Sequence, residues 1–452
     1  MDAVKAGAEP IAPRHLVSID DLSLAEINDL FEHAKAFSSE LGGFSHLCRG
    51  LIAASLFYEP STRTRLSFES AMLRLGGGVI TAADMTASSA SKGESLADTV
   101  RVVSGSYADL IVLRHPSEGA AQLASLTSSV PVINAGDGSH EHPTQTLCDL
   151  YTLWIEKGRI EGLDVVLAGD LRYSRTIHSF IYALARFGAN VVCVPHPGLE
   201  LPDYVLLRLR EEYGADPVRA DASRLGELAG QSDAAYITPN KPHQLSLFTE
   251  ASATRVESVD AVYMTRAQTE RHTGGEMHGA YPQLHARSMA LESLRNAVVM
   301  HPLPRRDEIS SDFDSDPRSI YFKQAARGVP MRMALLARLL GRLPGAVSPR
   351  GASSLLYPLT EGPNPCVNPM CVSHTEARHV QPAFRLASRI PLRASCAYCS
   401  RSIEAELVGC STTRHYHHRE APSARKIRPE HLRFFADALQ AQALGYSVGG
   451  TG

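Results

Sequence analysis

The sequence predicts an α/β protein with two parallel-sheet α/β domains joined by interdomain helices, followed by a small C-terminal module built on four cysteines. Three observations carry this. From 51 to 341, short apolar runs alternate with stretches of helical spacing, and polar residues follow each run. That is the pattern of parallel strands with a site at their carboxyl ends. The alternation pauses at Gly158 and Gly162 and then starts again. After 342 the composition changes, and Cys366, Cys371, Cys396 and Cys399 arrive in two close pairs.

The elements follow in order. Ser23 is a plausible cap for a helix carrying Leu24, Ile27, Leu30, Phe31 and Ala34. The apolar run 51–57 is short enough for a buried strand. Pro60 ends it, Ser61 or Thr62 caps the next helix, and Leu66, Phe68, Ala71, Met72 and Leu75 recur at helical spacing until Gly76–Gly78. A strand at 79–80 leads to the polar loop 88–93, which carries Ser88 and Lys92, and then to a helix over 95–104. Strand 110–113 delivers Arg114-His115-Pro116, and strand 130–134 delivers Gly136-Asp137-Gly138 and His140 to Gln145. A helix over 144–156 closes the first domain. The second alternation has strands at 165–168, 190–195, 234–238, 261–265 and 297–301, helices at 176–187 and 331–340, and a stop at Gly341. Asp233 to Thr238 is echoed by Asp260 to Thr265, which reads either as two strands of one sheet or as a local duplication or insertion over 236–262.

The expected organisation is therefore 1–150, 151–341, a Pro- and Gly-rich linker 342–365, a cysteine module 366–410 and a basic tail 411–452 with a short helix over 429–444. A chain of 452 residues has ample core for this. Apolar content of 44% and charged content of 21% are those of an ordinary soluble protein. A net charge of −3 gives no general attraction to nucleic acid or acidic membranes. No run reaches the about 20 apolar residues of a membrane span, and 1–13 lacks the apolar core of a signal peptide. Eight cysteines in a chain this long do not form a disulfide scaffold, so the expected home is the reducing cytoplasm, with no nucleic-acid and no membrane partner.

The chemistry is concentrated in Tyr58-Glu59-Pro60-Ser61-Thr62-Arg63-Thr64-Arg65. Two guanidiniums and three hydroxyls at the positive end of a helix make an anion site suited to phosphate. Arg114, His142 with Gln145, Arg175, Arg266 with Gln268, and Arg305 also follow strands. There is no P-loop pattern, no complete G-x-G-x-x-G and no Ser–His–Asp arrangement. A set of cations and amides spread over two domains suits two anionic substrates, with catalysis by positioning and charge stabilisation.

Ser-Thr-Arg-Thr-Arg, Arg-His-Pro, His-Pro-Thr-Gln and His-Pro-Leu-Pro-Arg, in this order, resemble the aspartate/ornithine carbamoyltransferase family over about 15–341. Thr265 to Arg271 and the His-Pro-Leu-Pro-Arg box, which has Pro302 where an ornithine enzyme is expected to carry cysteine, resemble its aspartate branch. The resemblance implies transfer of the carbamoyl group of carbamoyl phosphate to L-aspartate, giving N-carbamoyl-L-aspartate and phosphate in pyrimidine synthesis, with no catalytic cofactor. It implies that Ser61, Thr62, Arg63, Thr64, Arg65 and Arg114 bind carbamoyl phosphate, with Arg63 on the departing phosphate. Gln145 faces the carbamoyl amine, while His142 and Thr64 face its oxygen; Arg114, Arg175, Arg266 and Gln268 grip aspartate; and the Leu303 and Pro304 carbonyls orient the nitrogens. Ser88 and Lys92 are expected from a neighbouring subunit of a homotrimer. Two alternatives stay open: an inactive scaffold that keeps the fold, and a carbamoyltransferase for another amino acid.

Cys366-x4-Cys371 and Cys396-x2-Cys399, with 24 residues between the pairs, read as two knuckles that bring four thiolates to a tetrahedral zinc of structural type, the plainer alternative being a disulfide pair, which a reducing compartment disfavours. The stretch resembles the zinc domain of the regulatory chain that associates with bacterial aspartate carbamoyltransferases. The linker leaves no room for the nucleotide-binding domain of such chains, so no nucleotide effector is expected to act.

Overall fold

The computed structural model describes residues 13–82, 93–238, 259–265, 284–291, 294–306, 308–344, 356–359, 361 and 364–449. In chain order the first half forms α1 (Leu24–Ser39), β1 (Ile52–Phe57), α2 (Thr62–Arg74), β2 (Gly78–Ala82), α3 (Leu96–Ser106), β3 (Leu110–His115), α4 (Ala120–Thr127) and β4 (Val132–Asp137). There follow α5 (Pro143–Lys157), β5 (Asp164–Gly169), α6 (Arg175–Arg186), β6 (Asn190–Pro195), α7 (Asp203–Tyr213), β7 (Val218–Arg219) and α8 (Leu225–Gly230). Then come β8 (Ala234–Thr238), β9 (Ala261–Met264), β10 (Val298–Met300) and α9 (Tyr321–Leu339). The C-terminal part forms β11 (Leu356–Pro358), α10 (Val372–Thr375), β12 (Ala383–Arg389), β13 (Leu392–Cys396), β14 (Leu407–Cys410) and β15 (His415–His418). It ends with α11 (Pro422–Arg425), β16 (Leu432–Phe435), α12 (Ala438–Ala443) and β17 (Ser447–Val448).

These elements divide into two compact units, one containing 44–137 and the chain from 335 on, the other containing 18–43 and 138–334. The first unit holds a parallel four-stranded sheet in the order β2-β1-β3-β4. Its central strands are buried on both faces, hence the continuous apolar runs in the sequence. Ser95 caps α3 through the backbone N–H of Asp98, and Glu376 of the C-terminal module accepts from the N–H of Leu96 at 3.0 Å.

The C-terminal module shares its core with this sheet. Cys371, Val372, Val380 and Tyr398 pack with Leu56, Val100, Leu113 and Leu123. At the seam the N–H of Glu118 donates to the carbonyl of Met370 at 2.9 Å, and the N–H of Val372 donates to the carbonyl of Glu118 at 2.9 Å. Gly119 has φ +83, and a Cβ there would lie 2.6 Å from the backbone of Tyr398, so only glycine admits so close an approach.

The stretch expected to be a basic tail is a folded sheet in the order β16-β14-β15-β17. The helix expected over 429–444 is reduced to α12, and β16 takes the place of its first half. Burial explains the difference. Leu432 and Phe434 enter a core with Phe384, Val408 and Ile427, and the Phe384 and Phe434 rings meet edge to face at 4.9 Å. Tertiary packing overrides helical spacing here. Part of the expected linker also pairs, since β11 runs antiparallel to β12.

The second unit holds a parallel six-stranded sheet in the order β10-β9-β8-β5-β6-β7. The echoed segments are two neighbouring strands of this sheet, with Tyr236 opposite Tyr263 and their rings stacked at 4.1 Å. In both copies the leading aspartate is tied to an earlier residue: Asp233 accepts from the N–H of Asp164 at 3.0 Å, and Asp260 pairs with Lys157. The stretch 239–258 lies outside the described residues. Helix α1 begins with the Ser23–Glu26 capping box and lays Phe31 against Tyr151 and Trp154 of α5, both at 5.7 Å. Helix α9 starts ten residues before the expected point, with Pro330 inside it. The lost N–H is tolerated because Met331, Ala334, Leu335 and Leu336 bury the following turns.

Candidate active site and metal centre

In the first unit, β1 and β3 run side by side and end together, with Phe57 opposite Arg114. The N–H of Tyr58 donates to the carbonyl of Arg114 at 2.9 Å. The stretch Ser61–Arg65 therefore opens α2 next to Arg114. Ser61 is the N-cap residue of α2, but its hydroxyl makes no capping hydrogen bond, unlike those of Ser23 and Ser95. The first-turn N–H groups are thus not taken by the cap, and Thr62 and Arg63 are exposed. Arg65 leans toward Glu69 at 3.8 Å. Arg114 is buried, with Nη2 donating to Glu59 Oε1 at 2.6 Å and Nη1 to the carbonyl of Ala135 at 3.4 Å. Beside it, burial pushes His115 down to about 4, so the ring is neutral, and its Nδ1 accepts from the N–H of Ser117 at 3.0 Å.

In the second unit, His142 is the N-cap residue of α5, with Pro143 at the first helical position. Its ring does not cap the helix. Its N–H donates to Ser179 Oγ at 2.9 Å, and the Thr144 hydroxyl lies 3.4 Å from its Nδ1. Its neighbour Glu141 is held by Arg208 at 3.0 Å and by Ser179 at 3.2 Å, and Arg208 also pairs with Asp20. Arg175 opens α6 behind Ser174, which again leaves the helix uncapped, and donates to the carbonyl of Gly138 at 2.8 Å. His178, one turn on, lies 3.1 Å from the carbonyl of Ser139 and 2.9 Å from that of Leu171. The loops before α5 and α6 are thus tied to one helix.

After β10, Leu303 adopts φ +51 and is followed by a cis bond to Pro304. The N–H of Leu303 donates to His301 Nδ1 at 2.8 Å, and His301 Nε2 meets Glu308 at 2.7 Å. Arg305, one of the expected cations, is engaged by Asp314 at 2.6 Å and by the Tyr321 hydroxyl at 3.0 Å. Gln145 donates to Asp149 at 2.8 Å. Ser88, Lys92, Arg266 and Gln268 lie outside the described residues. Asp149, Ser179 and Gln324 carry no signal in the sequence, because a polar residue inside an apolar helix pattern has no spacing of its own, and Glu118, in the turn before α4, gains its meaning only from its bridge to Cys371.

The metal ligands sit in the C-terminal module. Cys366, Cys371, Cys396 and Cys399 are all buried, with every sulfur within 4.8 Å of the others. The Cys366–Cys399 and Cys371–Cys396 sulfurs are 3.6 and 3.7 Å apart. Four sulfurs at about 2.3 Å from a tetrahedral centre would be separated by about 3.8 Å, so the set fits a metal and not a pair of disulfides. Crowding drives the Cys371 and Cys396 thiols down and those of Cys366 and Cys399 up, through the hydrogen bonds they share. The Ser373 hydroxyl donates to Cys371 Sγ at 3.2 Å.

Residues 14–155 match the carbamoyl-P binding domain of aspartate/ornithine carbamoyltransferase, and 161–339 match its Asp/Orn binding domain. The chain belongs to the aspartate/ornithine carbamoyltransferase family. Residues 361–408 of this carbamoyltransferase chain match the metal binding domain of the aspartate carbamoyltransferase regulatory chain. The aspartate carbamoyltransferase catalytic subunit of Thermoplasma acidophilum is 46% identical over 334 residues, which is 73% of this chain and 98% of that protein. That of Clostridium kluyveri is 42% identical over 331 residues, with the same shares. Among solved structures, the catalytic subunit of M. jannaschii aspartate transcarbamoylase superposes with a TM-score of 0.57 at 41% identity, over 73% of this chain and 98% of that one. Aspartate transcarbamoylase from Trypanosoma cruzi in complex with N-(phosphonacetyl)-L-aspartic acid gives 0.58 at 35%, over 73% and 97%.

Proposed function

We propose that this chain is an aspartate carbamoyltransferase, joining the amine of L-aspartate to the carbamoyl carbon of carbamoyl phosphate and releasing phosphate. The observation that carries it is the ordered set of cationic and amide residues at strand ends, within a chain 46% identical to a catalytic subunit over 98% of that protein. Ser61, Thr62, Arg63, Thr64, Arg65 and Arg114 hold the phosphate, at a helix start whose N-cap hydroxyl is not used as a cap. Attack forms the C–N bond and pushes negative charge onto the carbamoyl oxygen. His142 and Thr64 donate to that oxygen, and Gln145 accepts from the carbamoyl amine. As the C–O bond to phosphate breaks, the proton lost by the aspartate nitrogen goes to the departing phosphate, and Arg63 neutralises that group. Arg114, Arg175, Arg266 and Gln268 hold the aspartate carboxylates, and the carbonyls of Leu303 and Pro304 orient the nitrogens.

The active form is a homotrimer in which Ser88 and Lys92 complete a neighbour's site. In support, α2 turns Leu66 and Leu73 outward, 52% and 59% exposed, and the edge strand β2 exposes Ile80 just ahead of that loop in sequence. The metal is zinc, which four thiolates in a closed tetrahedron favour, and the chain works in a reducing compartment, the cytoplasm, where those thiols stay reduced. The test is turnover of carbamoyl phosphate with a panel of amines. Carbamoyl-aspartate and phosphate in equal amounts are expected. Turnover with ornithine alone, or with none of the amines, would overturn the assignment.

A further inference from the structure

Asp149 sits in the middle of α5, buried, and its carboxylate is met by three donors. Gln145 Nε2 and Gln324 Nε2 reach Oδ1 at 2.8 and 2.9 Å, and the Tyr263 hydroxyl reaches Oδ2 at 3.0 Å. The two glutamines are not held alike. The carbonyl oxygen of Gln324 accepts from the N–H of His301 at 2.8 Å, a group that can only donate, so this amide is fixed from both ends. Gln145 is oriented by Asp149 through its NH2 end, which turns its carbonyl oxygen the other way. An ionised carboxylate is acceptor-only, whereas a protonated one must donate.

We propose that Asp149 is a positioning residue whose ionised carboxylate holds the Gln145 amide with its oxygen toward the carbamoyl amine, and that protonation reverses this amide and weakens carbamoyl phosphate binding. The proposal rests on the role given to Gln145 above. With the proton on Oδ1, Gln145 accepts it through its carbonyl oxygen and presents NH2 to the carbamoyl NH2, donor against donor. Gln324 cannot reverse without facing its NH2 to the N–H of His301. The groups around Asp149 are Cys148 on its own helix, Gln324 and Arg332 on α9, Tyr263 on β9 and Tyr236 stacked beside it on β8. Burial is the largest influence and pushes Asp149 up to about 7 against the three donors and Arg332, so the switch falls within a working pH range.

The experiment is the KM for carbamoyl phosphate between pH 5.5 and 9 in the wild type and four variants. The wild-type KM is expected to rise toward low pH; Asp149→Asn keeps an oxygen for both glutamines and removes the titration, so in it that rise is expected to be absent. Asp149→Leu removes the acceptor and is expected to raise KM roughly tenfold at every pH, with the asparagine variant as its rescue. Tyr263→Phe deletes one hydrogen bond to the ionised form and moves the rise to higher pH by about half a unit or more. If Asp149→Leu fails to fold, Asp149→Asn and Tyr263→Phe still decide. The proposal is overturned if folded Asp149→Asn keeps the wild-type profile, or if Tyr263→Phe leaves it in place, as happens when the proton goes to Oδ2 and the tyrosine turns instead. Gln145→Ala separates the two readings. If it leaves KM unchanged, the role given to Gln145 fails; if it raises KM while the Asp149 variants titrate as the wild type does, only the positioning proposal fails.

Discussion

Replacing Glu118 by alanine should loosen the C-terminal module from the first sheet and speed loss of its metal. Glu118 is buried, and its carboxylate takes Asn368 Nδ2 at 2.8 Å and Arg401 Nη2 at 3.3 Å. Asn368 is itself buried, so truncation leaves its amide short of a partner. A hydrogen bond to a charged group contributes about 1.5–3 kcal/mol. Arg401 is about a third exposed, 32%, so water takes over much of its share and little is added for the ion pair. The sum is about 2–3 kcal/mol, or roughly 30- to 150-fold in the ratio of docked to undocked module. The backbone bonds at Met370 and Val372 remain, so docking weakens without being abolished. Cys371 and Cys399 are fully covered when the module is docked, and a chelator reaches the metal mainly through the undocked state. Metal release into excess chelator, followed with a chromogenic indicator, should therefore accelerate by a similar factor. The control is Glu361→Gln, which breaks the exposed pair with Arg414 and should cost less than about 1 kcal/mol. Equal release rates for wild type and Glu118→Ala, or an equally large effect of Glu361→Gln, would refute the reasoning.

Three more outcomes follow from the same geometry. In the role proposed for Arg63 the departing phosphate needs the guanidinium most in the transition state, so Arg63→Ala should lower kcat far more than it raises the KM for carbamoyl phosphate; equal changes in both would remove that role. Leu73→Glu should shift the particle toward monomer in sedimentation, and an unchanged mass would exclude the α2 face as the subunit contact. Asp149 keeps its proton in the folded chain up to about 7, whereas the unfolded chain loses it near 3.8. Stability therefore falls as pH rises between these values, by about 4 kcal/mol in all, and Asp149→Asn should remove that fall. Denaturant melts at pH 5 and pH 9 read the part of that fall lying between pH 5 and about 7, roughly 3 kcal/mol, and parallel shifts in both proteins would contradict it.

What is legible in the sequence depends on whether a residue's partners lie close along the chain. The parallel strands are legible because burial on both faces demands continuous apolar runs, and β1, β3 and β5 write them plainly. Ser61–Arg65 is legible because strand, turn and helix start follow within a few residues. The four cysteines are legible because their pairs are short-range and their chemistry is rare. The C-terminal sheet is not. Its strands have two to four residues, too few for alternation to register, and Arg414, Arg419 and Arg433 mask the apolar positions between them.

The Gln145 environment shows the same limit from the other side. Gln145 and Asp149 are one helical turn apart, and that pair is visible in any helical plot. The partners that make Asp149 chemically unusual come from β9 and from α9, 114 and 175 residues away in sequence. Only the fold puts a tyrosine, two amides and an arginine around one carboxylate. The echo of Tyr236 in Tyr263 carries a trace of this, since the two rings stack and the Tyr263 hydroxyl reaches Asp149. A repeated strand motif in a parallel sheet sets like residues side by side when the register matches. Here that juxtaposition gives one tyrosine a hydroxyl partner in Thr176, next to Arg175, and the other a partner in Asp149, one turn from Gln145. The stacked pair thus reaches Thr176, the neighbour of an arginine proposed to hold aspartate, and Asp149, which holds a glutamine proposed to face carbamoyl phosphate.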